Sequence, residues 1–393
     1  LSEVTVTLSV KGYRQPFTCA KMTAPLGPHR GRTARKCRSR LAGRRIGYTS
    51  RVPLLPIRTE RLDIRMMRPS DSESLAAYRN DPDVARHQGW PLPYHSSHAS
   101  AMLADQADLT DVPPTGWVQL AVERNGVMIG DLAVTLVADG HVAEVGYTFA
   151  TAHHGHGYAT EALGGLVDRL FAASDVHRVV AHLDPANTPS LRVLERLGFV
   201  FEGLARRAEL VRGTWGDDLT YSLLREDRMA WVVERPNVRE VSLVELGPTT
   251  VGPFSRLAVH RSQETFVAPM WASFRDALFP EEIDGSPVVP WMRGIVADGE
   301  PVGFIMLAAV TPAHPDPYLW RLLVDRRHQR RGIGDAALRQ LILHLRSEGS
   351  TRLLTSWVEG PGGPAPFYAR LGFRPTGRMI DGEVEAVMEF PTT

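Results

Sequence analysis

Near its C-terminal end the chain reads DRRHQRRGIGDAAL, residues 325–338. Glycines let a backbone turn sharply and bring its N–H groups close to a ligand. A helix that opens at such a turn adds unpaired N–H groups and the positive end of its dipole, a setting that binds phosphate or pyrophosphate. A looser copy, TAHHGHGYATEAL, occupies residues 151–163, 177 residues earlier when Gly155 is counted against Gly332. His153, His154 and His156 crowd one turn of that copy. Adjacent histidines rarely face one ion, and no HExxH motif accompanies them, so no metal site is expected.

Several nucleotide sites share this physics. GIGDAA satisfies the dinucleotide fingerprint G-x-G-x-x-G/A, with Glu359 as a candidate ribose ligand. It ranks second, because RRHQRR separates the strand from the first glycine and because the earlier copy ends on Thr160. A lone Gly-x-Gly would read as a turn without ligand, but here its whole setting occurs twice.

The elements that must position these turns follow one order in each half. In the first, RLDIRMM is a strand and SDSESLAAYRN a helix opened by Ser70 and Glu73 as a capping box. SSHASAMLADQA is a second helix, and WVQLAVERNGVMIGDLAVTLV a hairpin turning at Asn125-Gly126. A strand, the glycine turn, a helix near 158–172, the strand RVVAHLD, the helix TPSLRVLERLG and two strands complete it. The second half repeats the order, with helices predicted over TTVGPFSRLAV and SQETFVAPMWASFRDALF and a hairpin at Asp298-Gly299. Gly155 to Gly198 spans 43 residues and Gly332 to Gly372 spans 40, and the closing words are ERLGF and ARLGF. The joint is expected near Pro236-Asn237.

Residues 1–51 carry 12 Lys and Arg against one acid, whereas the rest holds 33 basic and 43 acidic residues. An acidic body weakly favours cationic substrates. The first segment is expected to be disordered and outside the working enzyme. Since the chain opens on Leu1, an upstream over-extension before a start at Val52 is one expectation. An Arg-rich nucleic-acid tail and a targeting peptide are weaker ones. Both cysteines, Cys19 and Cys37, lie in it. The body therefore has no thiol chemistry, thiolate metal site or disulfide, and a reducing cytoplasm is the expected compartment. No apolar run approaches the ~18–20 residues of a membrane helix.

With those motifs in hand, both halves resemble the GNAT superfamily of acyl-CoA-dependent N-acetyltransferases. The resemblance spans about 55–228 and 240–390. Its signature, [Q/R]-x-x-G-x-[G/A], is matched by Gln329, Arg330, Arg331, Gly332, Ile333 and Gly334. In the first half His154, Gly155, His156 and Gly157 keep the glycines, with Ala152 read at the Gln/Arg position. The first half is similar to ribosomal-protein N-terminal acetyltransferases (TERLDIR, GHGYATEAL, NTPSLRVLERLGF). The second is similar to diamine and spermidine N-acetyltransferases (YLWRLLVDRRHQRRGIG, PFYARLGF, DGEVEAVMEF).

The resemblance implies an α/β (α+β) fold. Two tandem domains, 52–232 and 238–393, would each be a mixed, mostly antiparallel sheet flanked by helices. It implies acetyl-CoA as co-substrate and transfer of its acetyl group to a primary amine. The protonated amine must lose a proton, which a carboxylate acting directly or through water can take; for the leaving thiolate, the resemblance implies a hydroxyl as acid. Counting back from the Leu-Gly-Phe glycine gives Tyr368 as the acid of the second half, with Leu194 in its place in the first. Eight before, Ser190 is the first half's candidate, with Asn187 as a coenzyme-side amide; the second half has Pro364 and Pro361 there. Glu144 is the candidate base, and by spacing its counterpart is Arg321. Glu281, Glu282 and Asp284 would receive a polyamine, the acceptor expected for the second half. An aminoglycoside-type antibiotic or a protein N-terminus is the alternative. The first domain could instead be a non-catalytic module, given Ala152 and Leu194. The partner expected is a small amine, not a membrane and not nucleic acid; a homodimer is left open. A bacterial source is expected.

Overall fold

The computed structural model describes residues 52–233, 238–283 and 285–390. The basic segment 1–51, the joint at Pro236-Asn237 and Asp284 lie outside the described residues. The chain divides into two compact units between Arg225 and Glu226.

The first unit contains β1 (Ile57–Arg58), β2 (Asp63–Met66), α1 (Ser72–Arg79), α2 (Pro82–Ala85), α3 (Ser96–Asp105), β3 (Val118–Arg124), β4 (Val127–Val137) and β5 (Val142–Phe149). It continues with α4 (Tyr158–Ala173), β6 (Arg178–Leu183), α5 (Thr188–Leu197), β7 (Val200–Val211) and β8 (Thr214–Leu224). The helix α6 (Arg225–Val233) follows. The sheet order is β1-β2-β3-β4-β5-β6-β8-β7, antiparallel except between β5 and β6. Asn125 and Gly126 both take positive φ, as a two-residue hairpin loop requires. One sheet face packs on α4 through Ala162, Leu163, Leu166, Val167 and Leu170, spaced as a helical stripe. The other packs on α1–α3 through Leu75, Tyr78, Trp90, Tyr94 and Leu103.

The second unit contains β9 (Val241–Glu245), α7 (Val251–Phe254), α8 (Met270–Leu278), the small pair β10 (Glu282–Ile283) and β11 (Ser286–Pro287), β12 (Pro290–Ala297), β13 (Glu300–Ala308) and β14 (Tyr318–Val324). Then come α9 (Ile333–Ser347), β15 (Arg352–Trp357), α10 (Ala365–Leu371), β16 (Arg374–Ile380) and β17 (Glu383–Glu389). Its sheet runs β16-β17-β15-β14-β13-β12-β9, with β14 and β15 the parallel pair. Both units are thus the mixed, mostly antiparallel sheet flanked by helices that the resemblance implies.

Three local expectations change. The first helix starts at Ser72 after a 3-10 turn over Pro69–Asp71; Asp71 accepts the Arg68 N–H at 2.7 Å and so caps that turn, in place of the pair Ser70 and Glu73. The helix predicted over TTVGPFSRLAV is confined to Val251–Phe254, where Pro253 removes a donor. The one predicted over SQETFVAPMWASFRDALF begins at Met270, because Pro269 is its N-cap and holds the preceding chain extended.

Candidate active sites

In each unit the parallel pair is short and then opens. β5 pairs β6 only from Val142–Arg178 to Glu144–Val180, yet runs on to Phe149. β14 pairs β15 only at Tyr318–Leu354 and Leu319–Thr355, and runs on to Val324. Beyond the fork, the edge of β5 or β14 that faced its parallel neighbour has no strand beside it, so its backbone groups are open to a ligand.

The glycine turns lie just past these forks, and their register differs from the spacing of the glycines. Gly157 is the N-cap of α4 with φ 80°, and Gly332 is the N-cap of α9 with φ 76°. Tyr158, Ala162, Leu163, Leu166 and Leu170 are buried on α4; Ile333, Ala337, Leu338, Leu341 and Leu345 are buried on α9. The two stripes coincide only when Gly157, not Gly155, is matched to Gly332. His154 then stands where Gln329 stands, so the Gln/Arg position of the first unit is His154 rather than Ala152. The bonds agree: His154 Nε2 lies 2.9 Å from the Phe149 carbonyl, and Gln329 Nε2 donates to the Val324 carbonyl at 3.0 Å. Gly155 is matched by Arg330, and both are left-handed, at φ 78° and 61°. Gly334 is helical, and a Cβ there would make ordinary contact with the Phe367 ring at 3.4 Å.

Neither Gly157 nor Gly332 offers a side-chain cap to its helix, so the first-turn N–H groups are left for an outside acceptor. That is what a coenzyme A pyrophosphate needs, and the residues fit it: His154 to Gly157 in the first unit, Gln329 to Gly334 in the second. Gln329 and His154 shape the loop through its carbonyls; Ile333 is buried in the core. The Arg331 guanidinium lies 3.3 Å from His328 Nδ1. Burial, with Arg327 and Arg331 nearby, pushes the His328 pKa below its ordinary value, although Asp325 opposes this. In the first unit the Arg61 guanidinium donates to the His156 carbonyl at 3.2 Å and lies over the Tyr158 ring. Glu161 in the first turn of α4 accepts from the Thr59 hydroxyl and the Arg61 N–H. Burial works against its charge, but those donors hold its pKa below the usual value. Thr59, Arg61 and Glu161 thus anchor the loop, a role the TERLDIR motif only marked.

A cavity opens at the first fork, on the α1–α3 side. Glu144, Asn187 and Ser190 all line it, so three predicted site residues converge. Asn187 caps α5, accepting the Ser190 N–H at 3.2 Å. The Tyr147 hydroxyl donates to the Ser190 carbonyl at 2.7 Å, and burial raises the Tyr147 pKa despite that bond. The cavity holds residues not singled out before. His182 Nδ1 is 2.7 Å from Asp218, and His87 Nδ1 is 2.7 Å from Asp184. Arg79, 4% exposed, lies between the Trp90 and Tyr94 rings and 3.5 Å from Asp131. Burial raises the Asp131 pKa even though Arg79 works to lower it. The signal was alternation: Trp117, Gln119 and Ala121 share a face, as do Val180, His182 and Asp184.

At the second fork stands Tyr368. Its hydroxyl lies near Thr355, whose Oγ1 donates to the Leu319 carbonyl at 3.1 Å, across the last parallel pair. The ring stacks on Trp357 at 5.3 Å. Burial pushes its pKa up to about 12, so it is a protonated hydroxyl at any ordinary pH. Leu194, its counterpart, is buried and has no proton to give. The counterpart of Glu144 by strand pairing is Tyr318, not Arg321: matching Gly157 rather than Gly155 to Gly332 moves it by two residues, and a bulge in β14 between Leu319 and Arg321 by one more. Arg321 instead bonds Asp276 of α8 at 3.1 Å. Glu281 and Glu282 are exposed.

Comparison with known proteins gives the family. Residues 61–200 match the acetyltransferase (GNAT) domain and residues 257–373 the acetyltransferase (GNAT) family. An uncharacterized N-acetyltransferase, p20, of Bacillus licheniformis is 31% identical over 170 residues, 43% of this chain and 96% of that protein. The [ribosomal protein uS5]-alanine N-acetyltransferase of Escherichia coli is 28% identical over 190 residues, 46% of this chain and 96% of its own. The structure of Mycobacterium smegmatis RimJ in complex with CoA-disulfide is 25% identical, with a TM-score of 0.39, and covers 44% of this chain and 87% of its own. The chain belongs to the GNAT acetyltransferase family. It carries two such domains and is an N-acetyltransferase whose acetyl donor is acetyl-CoA. No helix among the described residues is long and apolar enough to cross a membrane.

Proposed function

We propose that the first unit acetylates the α-amino group of a peptide or protein N-terminus. The observation that carries this is the convergence of Glu144, Ser190 and Asn187 on one cavity at the fork. The similarity to a uS5-alanine N-acetyltransferase supports it. Glu144 takes the proton from the ammonium, and the freed nitrogen forms the C–N bond. Open N–H groups of β5 hold the oxyanion. As the C–S bond breaks, the Ser190 hydroxyl protonates the thiolate and its oxygen recovers a proton from the nitrogen of the intermediate, leaving an N-acetyl peptide and coenzyme A. Acetyl-CoA supplies the thioester, held by the turn from His154 to Gly157. Domain limits of 52–232 and 238–393, and a cytoplasmic setting for a cysteine-free body, belong to the same reading.

In the second unit Tyr368 is the acid, and the turn from Gln329 to Gly334 holds the donor. A polycationic amine is its proposed acceptor, supported by the exposed Glu281 and Glu282. The test is coenzyme A release by the full chain and by Tyr368→Phe. The acceptors are N-terminal peptides, spermidine and short diamines, with mass spectrometry locating the acetyl group. Peptides acetylated on the α-nitrogen by both proteins are expected. Peptides inert throughout while polyamines react would overturn the first-unit reading.

A further inference from the structure

Alternate residues of β3, β4 and β5 face the α1–α3 side of the first sheet. Two residues past the fork, the pairing sets Gln119 beside Ala133 and Ala133 beside Gly146. The inner two positions carry only a methyl group and a hydrogen, so a hollow lies between Glu144 and Gln119. All four residues line the cavity. Nothing in the fold demands a glycine at 146: a Cβ there would meet no atom nearer than the Ala133 Cβ at 3.6 Å. In the second unit the same row reads Met292, Met306 and Arg321, three long side chains. The hollow is therefore a property of the first unit alone.

Gln119 closes the far side of that hollow. Its backbone N–H and C=O are both bonded to the Gln106 side chain at 3.0 Å, which fixes its position on β3. It is 6% exposed, and its side-chain oxygen has no hydrogen-bond partner within the protein. A buried acceptor is costly to leave unmade, and one that faces a cavity is satisfied by what enters it. Strands lie about 4.8 Å apart, so β3 stands about 10 Å from β5. That distance suits a group on the acceptor's substituent, not the reacting nitrogen itself.

We propose that Gln119 is a specificity-determining residue of the acceptor site. Its oxygen receives an N–H or O–H donor carried several bonds from the reacting amine. The proposal rests on the reading of this cavity as the acceptor site and adds which acceptors it selects. Amines with a second donor are preferred over isosteres without one.

The test uses the full chain in a Tyr368→Phe background, so that the first unit is read. Acceptors are offered as matched pairs: peptides beginning with Thr or Val, peptides beginning with Asn or Leu, and a diamine with the monoamine of equal length. The donor-bearing member should have a kcat/KM about fivefold higher, the size of one neutral hydrogen bond. In Gln119→Met that ratio should fall to about one. Gln119→Glu keeps the oxygen, replaces the amide nitrogen with a second one and adds charge, so preference for the diamine should rise. Ratios taken within one protein cancel any loss of folded enzyme. A ratio unchanged in Gln119→Met, or unchanged diamine preference in Gln119→Glu, overturns the assignment. Should peptides be inert and amines reactive, the peptide reading falls, and the diamine pair alone decides the role of Gln119.

Discussion

His154 and Gln329 make the same hydrogen bond in the two units, each to the carbonyl of the residue that ends the pre-turn strand. The first reaches Phe149 and the second Val324. An imidazole and a carboxamide do one job: they hold the loop so that the first-turn N–H groups of the helix face outward. Gln329 adds a bond to Gln263 at 2.8 Å. His154→Ala and Gln329→Ala should each weaken acetyl-CoA binding about fivefold, the worth of one bond near 1 kcal/mol. His154→Gln should restore it. Titration with acetyl-CoA checks both.

Glu144 stands at the last parallel pair, opposite Val180, where the acceptor amine and the thioester would meet. Glu144→Gln keeps its shape and removes the base. First-unit turnover should drop about 100-fold, the lower end of general-base catalysis, with acetyl-CoA affinity retained. Single-turnover kinetics in the Tyr368→Phe background read this step.

Tyr368 must be protonated to act as an acid, so its contribution is present below its pKa and lost above it. With that pKa pushed up to about 12 by burial, the second unit should show no falling limb from Tyr368 between about pH 7 and 10. Tyr368→Phe should lower its turnover about 100-fold at every pH in that range and leave acetyl-CoA affinity nearly intact. A pH–rate profile with the second unit's acceptor decides the matter.

Arg79→Met should leave Asp131 buried without its cation. Breaking a buried pair costs about 3–5 kcal/mol. Asp131 already has a raised pKa, so it can take up a proton and keep the cost near about 3 kcal/mol. For a unit of this size that lowers the melting temperature by roughly 6–12 °C. Calorimetry of the full chain would show the first-unit transition move while the second stays.

Much of this was legible in the sequence. Hairpins at Asn125-Gly126 and Asp298-Gly299 are fixed by residues that tolerate positive φ. The helices after the turns are fixed by their apolar stripes. The register of the first turn was not legible, because glycine identity misleads there. Arg330 adopts the left-handed conformation that Gly155 adopts, so the glycines of the two turns do not mark equivalent positions. That mismatch of glycines, together with a one-residue bulge in β14, hid the relation of Tyr318 to Glu144, since counting along a chain assumes unbroken pairing. Gln119 escaped notice because one polar residue in WVQLAV looks like a flaw in a core strand. Its meaning comes from Ala133 and Gly146, residues that only sheet pairing brings beside it.

The central claim is that each unit builds its own donor cradle, His154 to Gly157 in one and Gln329 to Gly334 in the other. The most direct measurement is the stoichiometry of acetyl-CoA binding to the full chain by equilibrium dialysis. Two molecules per chain are predicted, falling to one when either turn is disabled by Gly157→Val or Gly332→Val. One molecule per chain in the unaltered protein would contradict the claim.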